Sequence, residues 1–272
     1  MSADRITPEQ LANLYSTVLP LQGVQFDSLL LPLAALADIE PSQVGTIVGT
    51  LMDALIPHLS GIAEVGLEKH EGLLGEREGY PDYRHSPSGL RVELKLIFVD
   101  NPKIQTKKPP TRREPSARLT QKVTIKNVVP QTDAMLLIAY QLQKSSYRRD
   151  AVTPTIIDLG VFSMIELVEA RDRRLVESSG RWFGDYETPC ILSRLGRQKI
   201  EQGISLDTST YGRKESEGKD FNEDTNFGKL KRIPHPGLQV FLRKHSSSAT
   251  DSPSDRSGKP ASASVRVQRD NV

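Results

Sequence analysis

The stretch from Tyr80 to Val99, YPDYRHSPSGLRVELKLIFV, decides how the rest of the chain is read. It has the form of a β-hairpin. A first strand is expected to end near Pro81-Asp82, a polar turn follows over His85-Ser86-Pro87-Ser88-Gly89, and a second strand covers Leu90 to Val99. Side chains on a strand alternate between faces, so Arg91, Glu93 and Lys95 share one face while Val92, Leu94 and Leu96 take the other. Asp82, on the neighbouring strand, comes alongside the polar set. Two carboxylates can hold a hard cation such as Mg²⁺ through oxygen, and a lysine beside them can orient or activate a water that attacks a phosphodiester. The competing reading is a solvated strand face with a Glu/Lys pair.

Pro81-Asp82, ten intervening residues, then Glu93-Leu94-Lys95 resembles the PD-(D/E)xK motif of the nuclease superfamily that includes most type II restriction endonucleases. The match covers roughly twenty residues directly. The resemblance implies an α/β fold with a central mixed sheet flanked by helices, Mg²⁺ as cofactor, and cleavage of a short sequence in double-stranded DNA. It implies that Asp82 and Glu93 ligate the metal, that the Leu94 carbonyl is a further oxygen, and that Lys95 handles the attacking water. A palindromic target would call for a two-fold homodimer, since DNA symmetry mirrors protein symmetry. A cognate DNA methyltransferase would be the genetic partner. In some members of the superfamily a helix ahead of the motif adds an acid. Ile62 to Leu74 is expected to be such a helix, with Glu64, Glu68 and Glu71 on one face, and Glu68 is the candidate against the plainer reading of a solvated helix face.

Composition limits the alternatives. The 272 residues suit one large domain with extensions, 37% hydrophobic and 26% charged. A formal net charge of +2 means that nucleic-acid affinity has to come from local clustering. Cys190 is the only cysteine, which leaves no internal disulfide or thiolate zinc cage and fits a reducing compartment. The apolar run Leu29 to Ala37 is too short to span a bilayer, and the N-terminus carries no apolar signal core. A cytoplasmic protein without membrane association is expected.

Ahead of the hairpin, Thr7-Pro8-Glu9-Gln10 reads as a capped helix start, with Leu11, Leu14, Tyr15 and Val18 at helical spacing. Further helical patterns run from Ser28 to Leu36 and from Pro41 to Ile56, and these N-terminal helices are packing or dimerisation elements. Beyond it, Lys103 to Lys126 sets Lys103, Lys107, Lys108, Arg112, Arg113, Arg118, Lys122 and Lys126 against Glu114 alone. Lys107, Lys108, Arg112 and Arg113 are candidates for a basic arm along a phosphate backbone. Asp133–Leu142 and Thr155–Phe162 read as inner strands, and Ser163–Ser178 as an amphipathic helix whose Arg171-Asp172-Arg173-Arg174 run lies on a solvated face, with DNA contact as the alternative.

From Gly180 to Pro236 the chain is rich in Gly, Arg, Lys, Asn and aromatics, which suggests folded loops and short strands. Arg213, Lys214, Asn222, Asn226, Lys231 and Arg232 are candidates for reading base edges, Arg and Lys against guanine and Asn against adenine. The expected organisation is therefore one domain over 1–245: a helical part (1–60), a catalytic core (62–178) and a DNA-recognition region (180–245). The Ser/Pro/Asp-rich 246–272 is expected to be a disordered tail.

Several chemistries find no support. Gly212 to Lys219 has the wrong spacing for a phosphate loop, with Asp220 where Ser or Thr would hold Mg²⁺. The five histidines show no zinc spacing, and no G-x-S-x-G elbow is present. Two rivals remain beside a sequence-specific endonuclease. One is a repair or recombination nuclease that cuts by DNA structure. The other is a non-catalytic DNA-binding protein in which Asp82, Glu93 and Lys95 are only surface charges.

Overall fold

The computed structural model describes residues 5–39, 41–59, 64–70, 80–104, 117–119, 123, 125, 127–177, 181–183, 186–190 and 228–246. Its centre is a mixed six-stranded sheet. In chain order the strands are β1 (Leu31–Pro32), β2 (Leu67–Lys69), β3 (Tyr83–His85), β4 (Arg91–Phe98), β5 (Asp133–Lys144) and β6 (Ala151–Ser163), arranged β1-β6-β5-β4-β3-β2. β4 and β5 run parallel, and every other neighbouring pair is antiparallel. A parallel pair needs a crossover connection, here the segment between Phe98 and Asp133.

Alternation along β5 shows how the sheet is sandwiched. Leu136, Ile138, Tyr140 and Leu142 enter one core with α1 (Pro8–Val18) and α3 (Pro41–Leu55), through Leu14, Val18, Val44, Val48 and Met52. Met135, Leu137 and Ala139 enter a second core with α4 (Met164–Glu177) and α5 (Pro236–His245), through Ile165, Val168, Leu238 and Leu242. Both faces are covered, which is why β5 reads as an almost unbroken apolar run. The α/β class expected from the sequence is the class observed. The capping box of α1 forms as read: Gln10 N donates to Thr7 Oγ1 and Thr7 N donates to the Gln10 side chain. A short helix α2 (Leu33–Leu36) follows β1, and a two-stranded β7–β8 pair (Arg181–Phe183, Tyr186–Cys190) stands apart from the main sheet.

Three expectations are corrected. Residues 64–70 are not helical: Glu64 to Gly66 turn and Leu67–Lys69 form the edge strand β2. Buried Val65 and Leu67 set a period of two there, and pairing with β3 overrides the helical spacing of the acids. The Ser28–Leu36 helix shrinks to Leu33–Leu36, because Leu31 and Pro32 pair with Val152 and Ala151 at the sheet edge. Around the expected basic arm, whose Lys107, Lys108, Arg112 and Arg113 lie outside the described residues, Ile104, Leu119 and Val123 are buried and Leu119 N donates to the Gly228 carbonyl. Finally, Arg171 is 0% exposed and its Nε donates to the buried Asp172 at 2.8 Å, so this part of α4 faces protein and not solvent. The expected tail lies outside the described residues apart from Ser246. Among the described residues no helix is long and apolar enough to cross a membrane.

Candidate active site

The hairpin that carries the motif is β3, a turn over Ser86–Ser88, and β4. His85 N donates to the Leu90 carbonyl and Gly89 N donates back to His85, both at 2.8 Å, with Gly89 at a φ of +70° where a side chain would strain. The first strand begins after Asp82 and does not end there, so Asp82 sits at the entrance of β3. Tyr83 pairs with Val92, which sets Asp82 opposite Glu93 on the neighbouring strand.

That register explains what Asp82 does. Its Oδ2 accepts from Leu94 N at 2.7 Å, standing in for the backbone acceptor that β3 has not yet supplied. Lys95 Nζ donates to Glu93 Oε1 at 2.5 Å and to the Leu94 carbonyl at 3.0 Å. Asp82, Glu93, Leu94 and Lys95 are therefore one cluster, and Val92 and Leu94 anchor it from the apolar side.

Glu93 is only 5% exposed, and its Oε2 is buried with no hydrogen-bond partner among the described residues. A solvated strand face does not look like this. Burial pushes its carboxyl up to about 7; the Lys95 ammonium pulls it back, and the neighbouring Asp82 carboxylate, by its charge and by accepting from the protonated form, adds to the rise.

No family model, curated protein or solved structure matches the chain. The reading therefore rests on the chemistry of the cluster. A carboxylate oxygen left bare in a buried setting is costly unless something supplies positive charge, because nearly all buried polar atoms find partners. With one Asp, one Glu and a backbone carbonyl, the donors are all oxygen, which fits a hard cation such as Mg²⁺ that keeps much of its water shell. The fit depends on that modest requirement: among the described residues no group of three or more His, Cys, Asp and Glu side chains is placed to hold a metal. Glu68 is not grouped with Asp82 and Glu93 in this arrangement. It is exposed on the edge strand β2, paired in register with Arg84.

A second network, which the sequence did not disclose, adjoins the first. Asp133 is Arg91's register partner across the parallel β4–β5 pair, and its Oδ1 lies 3.1 Å from Arg91 Nε. Asp133 also accepts from Tyr80 Oη at 2.6 Å, Val129 N at 2.9 Å and Thr132 Oγ1 at 3.1 Å. Burial, with the charge of Asp133 behind it, raises the Tyr80 hydroxyl well above the ordinary phenol range, so it stays a donor. The Arg91 guanidinium lies 5.5 Å from the centre of the Tyr80 ring. No spacing rule links residue 91 to residue 133; only the parallel register does.

Of the DNA-contact candidates, Lys107, Lys108, Arg112, Arg113, Arg213, Lys214, Asn222 and Asn226 lie outside the described residues. Lys231 and Arg232 are exposed on a short 3-10 turn, Leu230–Arg232, ahead of α5.

Proposed function

We propose that the chain is a Mg²⁺-dependent endodeoxyribonuclease of the PD-(D/E)xK kind, cutting double-stranded DNA in the manner of a type II restriction enzyme. One observation carries the reading: a buried Glu93 with a bare oxygen, beside Asp82 and Lys95, on the polar face of a hairpin whose other face is core. The mixed sheet with its paired helical layers supports a restriction-endonuclease-like core. Asp82, Glu93 and the Leu94 carbonyl would hold the cation, which when bound supplies positive charge opposite the phosphate oxygens as negative charge develops there. Lys95 has a separate part. Its side chain, fixed by Glu93 and the Leu94 carbonyl, would orient a water for in-line attack as an ammonium, or take the water's proton as the neutral amine. The homodimer, the basic arm and the cytoplasmic setting belong to the same proposal, as does the methyltransferase partner.

Digestion of phage DNA with purified protein and Mg²⁺ tests the reading. Discrete bands are expected from the wild type, and a smear would favour the repair nuclease. Lys95→Ala should cost ~10²–10⁴-fold in rate, the scale of a proton-handling group. Glu93→Ala should cost at least as much, with the fold and DNA binding retained in both. Cutting by Lys95→Ala at the wild-type rate would remove this hairpin from the chemistry.

A further inference from the structure

Across four strands the sheet aligns one row of charged residues: Glu68 opposite Arg84, Arg84 opposite Arg91, and Arg91 opposite Asp133. Strand alternation puts Arg91 on the face of Glu93, two residues along β4, and the register puts Arg84 beside Arg91 on that face, two residues from Asp82 at the entrance of β3. Like charges directly opposite each other on neighbouring strands destabilise a sheet. Asp133 offsets the charge of Arg91, 3.1 Å from its Nε, while Arg84 has no such counterpart among the described residues. Arg84 is exposed, and among the described residues it makes no ion pair with Glu68 despite their register.

Arg91 is held differently. It lies against Asp133, the Tyr80 ring and the Asn127 carbonyl, the last at 3.4 Å. Asp133 does not need it, since three other donors already satisfy that carboxylate. The arrangement fixes the arginine more than it serves the acid, and 28% of the Arg91 side chain stays exposed. Meanwhile Lys95 is occupied by Glu93 and the Leu94 carbonyl. Among the described residues on this face, exposed Arg84 and partly exposed Arg91 are therefore the cations left to meet an incoming anion, the second of them pinned by Asp133.

We propose that Arg84 and Arg91 form a phosphate clamp, taking the backbone phosphate next to the one that meets Asp82, Glu93 and Lys95. A two-residue step along a strand is roughly 6.6 Å, of the order of the separation of successive phosphates on a nucleic-acid strand. Guanidinium forks match phosphate oxygens two at a time, and an anion between the two arginines relieves their repulsion. The inference rests on reading the hairpin as a site for DNA phosphodiesters.

The test uses the full-length protein and a mixed-sequence duplex in metal-free buffer, with binding followed against salt. Arg84→Gln should flatten the slope of log K against log salt by ~0.9, and Arg84→Gln/Arg91→Gln by about twice that. Arg84→Lys should restore most of the slope. A purely structural arginine would lower the melting temperature when removed, whereas Arg84→Gln should leave it equal or higher. An unchanged slope in Arg84→Gln overturns the clamp, as does wild-type protein that shows no salt-dependent binding. If Arg91→Gln fails to fold, the two Arg84 variants still decide. Inorganic phosphate that stabilises the wild type as strongly as duplex does would overturn the backbone assignment in favour of a free phosphate. Slope loss without any Mg²⁺-dependent cutting keeps the clamp and sinks the nuclease. Cutting that depends on Lys95, with no slope loss, does the reverse.

Discussion

At the scale of single residues the site turns on one carboxyl held out of water. Glu93 faces a desolvation cost that Lys95 only partly offsets, with Asp82 working against it, and the result is a carboxyl raised to about 7. The sign of its linkage to folding follows. In the unfolded chain a glutamate loses its proton near 4.3, while the folded protein keeps it to about 7, so this group favours folding at acid pH. That contribution is complete below the unfolded value and is lost as pH rises through about 7. In metal-free buffer the wild type should therefore lose stability between pH 5 and pH 8 relative to Glu93→Gln, by an amount on the order of 1–3 kcal/mol. Denaturant titrations of both proteins at the two pH values measure it. Parallel pH dependences would mean that Glu93 does not carry the shift. Asp158 behaves oppositely: burial would raise it, yet bonds from Lys244 at 2.6 Å and His245 at 2.8 Å hold it below the usual carboxylate range. The alternation of Arg91, Glu93 and Lys95 was readable from the sequence, as was the pairing of Glu93 with Asp82. The partners Tyr80 and Asp133 were not, because a parallel register between strands more than thirty residues apart leaves no local signal.

At the scale of elements the hairpin is held at both ends of its turn. Ser86 N donates to the Gly66 carbonyl at 2.8 Å, which ties the Ser86–Ser88 turn to the bend before β2. Gly66 has a φ of +68°, and a Cβ placed on it would come 2.6 Å from Pro87 Cδ. The proline ring cannot swing aside, so alanine meets both a backbone penalty of ~1–2 kcal/mol and an overpacking cost of ~1–3 kcal/mol. Gly66→Ala should lower the thermal midpoint and weaken Mg²⁺-dependent cutting along with it. A midpoint equal to the wild type would mean that β2 and the turn do not brace each other. Here the sequence misleads for an identifiable reason. Glu64, Glu68 and Glu71 fall on one face of a helix, yet Val65 and Leu67 already alternate as a strand does, and Gly66 between them breaks a helix. Arg171 misleads in the same way. An arginine in a charged run reads as solvated, but α4 buries more of its circumference than an amphipathic stripe would, taking Arg171 and Asp172 inside as a pair.

At the scale of the whole molecule, the N-terminal helices are half of the sandwich. The face of the sheet formed by Val92, Leu94, Leu136, Ile138, Tyr140 and Leu142 is closed by Leu14, Val18, Leu21, Phe26, Leu36, Val44, Val48, Met52 and Ile56. Polar ties accompany the packing: Tyr140 Oη donates to the Gly45 carbonyl at 3.1 Å, and Thr153 Oγ1 donates to the Phe26 carbonyl at 2.6 Å. Full burial of each such apolar side chain contributes ~1.5–3 kcal/mol before the entropy of ordering the chain is set against it, while a typical domain is stable by only ~5–15 kcal/mol in all. A dimerisation role alone would leave the remainder able to fold. The packing argues otherwise, because the same layer buries the back of the strand that carries Glu93 and Lys95. Deleting residues 1–59 should therefore yield a fragment with no cooperative thermal transition, prone to aggregate through the bared sheet face and inactive on DNA. Circular dichroism melts and sedimentation of the fragment against the full chain check this. Cooperative unfolding of the fragment near the full-length midpoint would show that the sheet stands on its other core alone, with the helices as an appended layer.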